Sequence, residues 1–497
     1  MPPAFGPGDG QYRGGREAGT LNVATTSEHV FAAAGPLSGL LPGYAPRADQ
    51  QAMARAVERA VSRRGTLICE AGTGTGKTLA YLVPAVAGGG RIVVSTGTRH
   101  LQDRLLERDL PIACQALGRA PRIALLKGRS NYLCRWRYEQ VLTAGRLVSR
   151  QLTARVTRLS GWVARTGNGD LAEVTDLAEH DPVRRAITST ADNCLGSKCP
   201  MHDGCHVVEA RRRAAEADVV VVNHHLLFAD MALKEAGFGD LLPLADTLII
   251  DEAHQIPDVA TRFFGVEVTS GQLAELARDT STAMRTDAPD TPDLDSLVTE
   301  LDIAVREATD AFPGAAGRFE WSAMPPDARD RIASVECRLG GLAEALETVS
   351  VRGTSISAVS ERSRELAARL SRIGGEPPEP GFARWAEGRP RGFGLHLAPL
   401  DTGPILAERV AEVDRAWILT SATLSVAGSL EHFATRVGMT DASLHVFDGS
   451  FDYREQTRCY LPPGMPEPFR AGYDEAVADV AVSVLAASRG RAFLLFT

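Results

Sequence analysis

The sequence predicts an α/β fold built on a parallel sheet, and three observations carry that prediction. Short apolar runs that end in polar residues alternate with stretches of helical spacing, as in sheets whose strands are buried on both faces. One such run enters a glycine-rich turn that opens directly into a helix, A-G-T-G-T-G-K-T at Ala71–Thr78. Another closes on two acids, L-I-I-D-E-A-H at Leu248–His254.

Taken in order, residues 1–35 are rich in Gly, Pro, Ala and polar residues and read as a disordered leader. The α/β pattern starts near Leu37. RADQQAMARAVERAVSRRG has helical spacing, TLICEAG is a strand running into the glycine-rich loop, and KTLAYLVPAVAGG is a helix. RIVVSTGT is a strand and HLQDRLLERDL a helix, while ADVVVVNHHLL and ADTLIIDEAH each contain a buried strand. AWILTSATLS resumes the pattern later, and RAFLLFT reads as a final apolar strand. Two stretches interrupt the alternation. Residues 119–215 hold a basic run and a cysteine cluster, and residues 257–396 are rich in Ala, Leu, Arg and Glu with helical periodicity. Both read as insertions between strands of one sheet.

At 497 residues the chain has room for three or four domains. It has 44% apolar and 23% charged residues, as soluble globular proteins do. The start has no apolar core of a signal peptide, and no run approaches the length needed to span a bilayer, so a cytoplasmic chain without membrane contact is expected. Eight cysteines in such a compartment argue against a disulfide framework. Cys69, Cys114, Cys337 and Cys459 stand apart and read as small buried hydrophobes.

The loop at 71–78 is a phosphate cradle. Gly72, Gly74 and Gly76, with Thr73 and Thr75 between them, let backbone N–H groups turn inward, and the following helix presents its positive end. Lys77 reaches the β/γ-phosphates of ATP and the Thr78 hydroxyl holds Mg²⁺. Ala71 stands where the usual form has Gly. In the acidic pair, Asp251 suits the Mg²⁺ shell and Glu252 suits orientation or deprotonation of the attacking water. Strand-end acids are a weak signal alone and a strong one beside the loop.

The net charge of −8 does not suggest a nucleic-acid binder, but local patches decide binding. Between Arg119 and Arg158, nine Arg and one Lys face a single acid, Glu139, and so one-signed a stretch implies a polyanion nearby. The cysteines Cys134, Cys194, Cys199 and Cys205 follow the spacing C-x59-C-x4-C-x5-C. Four thiolates can form an iron–sulfur or a zinc site. The usual C-x2-C zinc pairs are absent, yet His202 and His206 keep a mixed Cys/His zinc site open.

D-E-A-H, together with S-A-T at Ser421–Thr423, resembles the superfamily-two helicases, and the order of segments resembles the XPD/DinG family of iron–sulfur helicases, nearest its bacterial DinG-like branch. YAPRADQ is similar to that family's adenine-side motif, with Arg47 and Gln50 as matching residues; STGTRHLQDRL, KGRSNYLC, VVNHHLL, LIIDEAH, ILTSATL, SFDYREQTRCYLP and FLLFT follow in the family's order, from about residue 37 onward. The resemblance implies a RecA-like parallel-sheet motor domain from residues 36–118, 216–256 and 397–428. It further implies an inserted iron–sulfur domain at 119–215, an inserted mostly helical arch domain at 257–396, and the start of a second RecA-like domain at 429–497. By resemblance, Cys134, Cys194, Cys199 and Cys205 hold a 4Fe–4S cluster. Arg129, Arg135 and Arg137 would meet phosphates, and Tyr132 and Trp136 would stack bases or pack the cluster domain. Thr96, Thr98 and Gln102 lie where the family contacts the DNA backbone, with helix capping as the plainer account. Asn223, His224, His254, Thr420 and Ser421 fall in the network coupling ATP to DNA.

The implied activity is 5′→3′ ATP-dependent unwinding, acting as a monomer on single-stranded DNA and duplex junctions in repair or replication-stress recovery. No Q-x-x-G-R-x-x-R motif occurs, and an arginine finger is worth about 10³–10⁵ in turnover where it is used. A C-terminally truncated chain is therefore expected, one that binds ATP–Mg²⁺ and DNA while hydrolysis needs the remainder. The rival reading is an ATP- and DNA-binding module without efficient turnover.

Overall fold

The computed structural model describes residues 23–144, 150–178, 180–235, 241–312, 317–390, 392–449, 453–468 and 470–495. Eleven strands run in chain order: β1 (Thr66–Ala71), β2 (Ile92–Thr96), β3 (Ile123–Leu125), β4 (Val219–Asn223), β5 (Thr247–Asp251), β6 (Val266–Thr269), β7 (Gly317–Glu320), β8 (Phe382–Arg389), β9 (Gly392–Pro399), β10 (Ala416–Ser421) and β11 (Ser443–Phe447). Seven of them form one sheet in the order β11-β1-β10-β5-β2-β4-β3, and every pairing in it is parallel. The continuous apolar runs explain this, because β2, β5 and β10 are buried along their whole length and must be covered on both faces. One face packs against α1 (Ala48–Arg63) and α2 (Lys77–Gly88), with Met53, Val57, Leu82 and Ile418 in its core. The other holds Leu248, Ile250, Leu419 and Phe228, the last from a helix that follows β4. Parallel strands all finish at the same edge, so Ala71, Thr96, Asn223, Asp251 and Ser421 come together there.

The segment 119–215 has its own small core of Leu133, Tyr138, Val156, Leu171 and Ile187 beside α3 (Arg135–Ala144), and ends in α4 (His206–Glu216). The expected helical stretch 257–396 contains α6 (Ser270–Asp287), α7 (Pro292–Asp310), α8 (Pro326–Val349) and α9 (Thr354–Gly374), α5 (His224–Glu235) being the helix after β4. It also supplies a four-stranded antiparallel sheet, β6-β9-β8-β7, that helical periodicity did not reveal. Its inward positions Phe393, Leu395 and Leu397 alternate at period two and join the helical core.

Three further expectations need correction. The strand β11 lies in the stretch assigned to the start of a second motor domain, yet it pairs with β1 in the seven-stranded sheet. Contacts divide the chain at Gly449, and the second unit, 450–497, contains α10 (Tyr473–Ala487). Residues 491–495 of RAFLLFT form no strand, since an apolar run needs a neighbouring strand to pair with, and Phe493 and Leu495 are exposed. Cys69 and Cys114 are buried as expected, but Cys337 and Cys459 are exposed. Among the described residues no helix is long and apolar enough to cross a membrane.

A buried ionic clasp joins the cysteine segment to the helical one. Arg137 of α3 reaches Glu275 at 3.2 Å and Asp279 at 3.4 Å on α6, and Arg362 of α9 reaches the same acids at 3.5 and 2.9 Å. Asn193 donates to Glu275 at 3.0 Å, and Gln272 donates to Asp192 at 3.1 Å. The Arg362 side chain is 3% exposed while the two acids are half-buried, so removing it leaves Arg137 alone to balance both carboxylates. Arg362→Ala is expected to cost about 1.5–3 kcal/mol in urea unfolding followed by circular dichroism; a loss within experimental error would mean that the clasp is not an ordered interaction.

Candidate functional site

The loop between β1 and α2 is drawn tight by its own backbone. Gly74 and Gly76 take φ of +80° and +86°, a region that only glycine occupies without strain. Thr75 donates its hydroxyl to the Gly72 carbonyl at 2.6 Å, and Lys77 Nζ donates to the Ala71 carbonyl at 3.0 Å. A side chain at Gly76 would collide with Gln50, whose Nε2 donates to the Gly76 carbonyl at 3.1 Å; Arg47 donates to the Gly74 carbonyl at 2.5 Å. The first turn of α1 therefore braces the loop. Asp49, between those two residues, accepts from the Gly449 N–H at 3.1 Å, and the Gly72 N–H donates to the Phe447 carbonyl at 3.3 Å.

The acids lie on the next strand but one. Asp251 ends β5 and is 6% exposed; one of its oxygens accepts from the Glu252 N–H and the other from the Tyr81 hydroxyl, both at 3.0 Å. Burial first, then the neighbouring charge of Glu252, pushes the Asp251 carboxyl up to about 6, against a downward pull from Tyr81. The Tyr81 hydroxyl also meets that of Thr78, so it stands between the two oxygens expected to share one cation. Hydroxyl and carboxylate oxygens are the hard donors that Mg²⁺ takes. Glu252 adopts φ of +57°, which turns its side chain towards β10, where Ser421 donates to it at 3.3 Å. His254 Nδ1 is 2.8 Å from the same Ser421 hydroxyl and 3.4 Å from the Glu252 carboxylate.

The DNA-side candidates divide into caps and orphans. Thr98 accepts from the Leu101 N–H at 3.3 Å and Asn223 from the Leu226 N–H at 2.8 Å, so both serve as helix caps. Thr96, Gln102 and Thr420 are buried; the Thr420 hydroxyl meets the Cys69 thiol across the sheet, while Thr96 Oγ1 and Gln102 Nε2 have no hydrogen-bond partner among the described residues. Such atoms at a strand edge are the ones a ligand or a rearrangement can satisfy. His224 Nδ1 lies 2.7 Å from the Ser95 hydroxyl, and burial lowers its pKa to about 4, leaving the ring neutral at physiological pH.

The cysteines come from two ends of the inserted segment. Cys134 precedes α3 and its N–H donates to the Ile187 carbonyl at 2.8 Å; Cys199 closes a short turn and Cys205 caps α4. They are electrostatic neighbours: Cys134 is sensitive to the charges of Cys194 and Cys199, and Cys199 to those of Cys194 and Cys205. Among the described residues, no three or more His, Cys, Asp or Glu side chains are arranged to hold a metal ion. The donor set of four thiols still suits a soft cluster or zinc. His206 is engaged elsewhere, since its Nε2 accepts from Arg135 at 3.3 Å, which weighs against the mixed Cys/His set.

The basic run is less one-signed in space than in sequence. Arg122 pairs with Asp218, Lys127 with Asp170, Arg137 with Glu275 and Asp279, and Arg155 with Asp181. Acids from distant parts of the chain thus neutralise four of its cations, and Arg137 is spent in the clasp rather than offered to phosphate. Tyr132 is 4% exposed and its hydroxyl accepts from the Lys127 N–H at 3.1 Å, so it packs a core and does not stack bases. Arg135 remains exposed and Arg129 and Trp136 are half-buried. Sequence reading missed Tyr81 and Glu70. Tyr81 lies one helical turn after Thr78, a spacing that could have flagged it; Glu70 gave no signal.

No protein-family model matches the chain. Among curated proteins, the ATP-dependent DNA helicase YoaA of Haemophilus influenzae is 38% identical over 475 residues, covering 94% of this chain and 74% of its own. YoaA of Escherichia coli is 39% identical over 469 residues, with the same two coverages. The ATP-dependent helicase DinG of Mycobacterium tuberculosis is 32% identical over 487 residues, covering 92% and 72%. A solved XPD helicase structure aligns with 88% of this chain and 70% of its own at 13% identity and a TM-score of 0.46.

The raised pKa of Asp251 has two consequences. Its folded value exceeds the ordinary 3.8, so its contribution to stability is complete below 3.8 and is lost as pH rises through about 6. A cation needs the ionised form, so Mg²⁺-dependent nucleotide binding, measured by titration calorimetry, is expected to weaken as pH falls through about 6. Tyr81→Phe should move that midpoint upward and Asp251→Asn should remove it.

Proposed function

Because the chain belongs to the ATP-dependent DNA helicase family that includes YoaA and DinG, we propose that it couples ATP hydrolysis to movement along single-stranded DNA and to duplex unwinding. The observation that carries this reading is the meeting, at one edge of the parallel sheet, of the phosphate loop, the acid pair and Ser421. Arg47 and Gln50 hold the adenine side, and the backbone from Ala71 to Gly76 with Lys77 holds the phosphates. Thr78 and Asp251 would hold Mg²⁺, which neutralises phosphate charge when bound. Glu252 orients the attacking water and, through Ser421 and His254, is tied to β10. Strand polarity of 5′→3′ and a role in DNA repair or replication-stress recovery complete the proposal.

Cys134, Cys194, Cys199 and Cys205 are proposed to hold a 4Fe–4S cluster, supported by a donor set of thiols alone. When bound, such a cluster supplies rigidity to a polar loop that has little core of its own. Arg135 and Arg129 are the neighbouring basic residues best placed to meet DNA phosphates.

ATP turnover with and without single-stranded DNA tests the motor reading. Stimulation by DNA, abolished in Lys77→Ala, is expected; turnover indifferent to DNA would leave a nucleotide-binding module. Protein purified without oxygen should contain about four irons and four acid-labile sulfides per chain, and zinc without sulfide would remove the cluster from the account.

A further inference from the structure

Glu70 immediately precedes the phosphate loop, and the motor reading gives it no role. Its half-buried carboxylate crosses from β1 to the loop after β10, where one oxygen accepts from the Leu424 and Ser425 N–H groups, the latter at 2.6 Å, and the other accepts from the Ser425 hydroxyl at 2.9 Å. Burial opposes ionisation here, yet these three bonds and the nearby Lys77 charge hold the carboxyl below the usual range. The loop it grips is stiff: Val426 and Ser429 exchange two backbone hydrogen bonds of 3.0 Å around Ala427 and Gly428, both at positive φ. The same loop begins at Ser421, which bonds Glu252 and His254 and lies directly across from Glu70 in the sheet register.

We propose that Glu70 is a positioning residue through which nucleotide binding is transmitted to the Ser421–Ser425 segment, an inference that rests on the nucleotide-site reading above. In the structure Lys77 rests on the carbonyl of Ala71, the residue after Glu70, and its charge attracts the Glu70 carboxylate. Bound polyphosphate is a stronger partner for that ammonium than a neutral carbonyl. Drawing Lys77 away frees the carboxylate to hold the Leu424 and Ser425 amides more firmly, and the stiff loop carries the change to Ser421 and so to Glu252.

Hydrogen exchange on the full 497-residue chain, with and without ATP and Mg²⁺, reads this at the two amides. In the unsubstituted protein nucleotide should slow exchange of Leu424 and Ser425. In Glu70→Ala both amides should exchange fast whether or not nucleotide is present, with ATP affinity retained in a parallel titration. Glu70→Gln, which keeps an acceptor and the side-chain volume, should show partial slowing, as should Ser425→Ala at Leu424. Slowing that persists in Glu70→Ala, or is absent from the unsubstituted chain while ATP binds, overturns the proposal. Failure of the unsubstituted chain to bind ATP in the titration would instead take down the nucleotide-site reading on which it rests.

Discussion

The parallel register of β1, β10 and β5 is the constraint on which the functional edge depends. It sets Glu70 opposite Ser421 and Thr420 opposite Asp251, so the strand before the phosphate loop, the serine segment and the acid pair meet without any long loop to hold them. A slip of one residue would turn every side chain on a strand to the opposite face. Full burial of β5 and β10 makes such a slip costly, because it would separate the buried Asp251 and Ser421 from the Tyr81 and Glu252 groups that satisfy them. Packing therefore fixes the chemistry, and the glycines of the loop need only bend the chain around the place where phosphate will lie.

That rigidity comes at a cost in electrostatics. Displacement of the Asp251 carboxyl from 3.8 to about 6 corresponds to about 3 kcal/mol against its charged form. A divalent cation would offset that penalty, so this edge favours nucleotide with its metal over nucleotide alone. The clasp between Arg137, Arg362, Glu275 and Asp279 follows the opposite logic, with charges of both signs buried together so that neither is stranded.

Legibility from sequence followed the range of the interactions. The phosphate loop, Asp251, Glu252 and the parallel sheet were readable because each is written in a few consecutive residues. The sheet β6–β9 was not, since β6 and β7 are only four residues each and are separated from the β8–β9 hairpin by long helices. Counting charge along the chain overstated the basic run because Arg122, Lys127 and Arg137 find acids far away in sequence. Tyr132 stayed open between stacking and packing for the same reason, as its burial is set by α4 and β4 rather than by its neighbours. Glu70 shows the limit most plainly: its partners lie more than three hundred and fifty residues along the chain.

In the proposed motor, one sheet edge binds ATP–Mg²⁺ and passes that binding to a surface that holds DNA. The most direct measurement is the affinity of the chain for ATP–Mg²⁺ in the absence and presence of saturating single-stranded DNA, with the reciprocal titration alongside. Coupling predicts that each ligand changes the affinity for the other by the same factor, as linkage requires. Tight binding of both ligands with a factor of one would contradict it, leaving two independent sites on a shared scaffold.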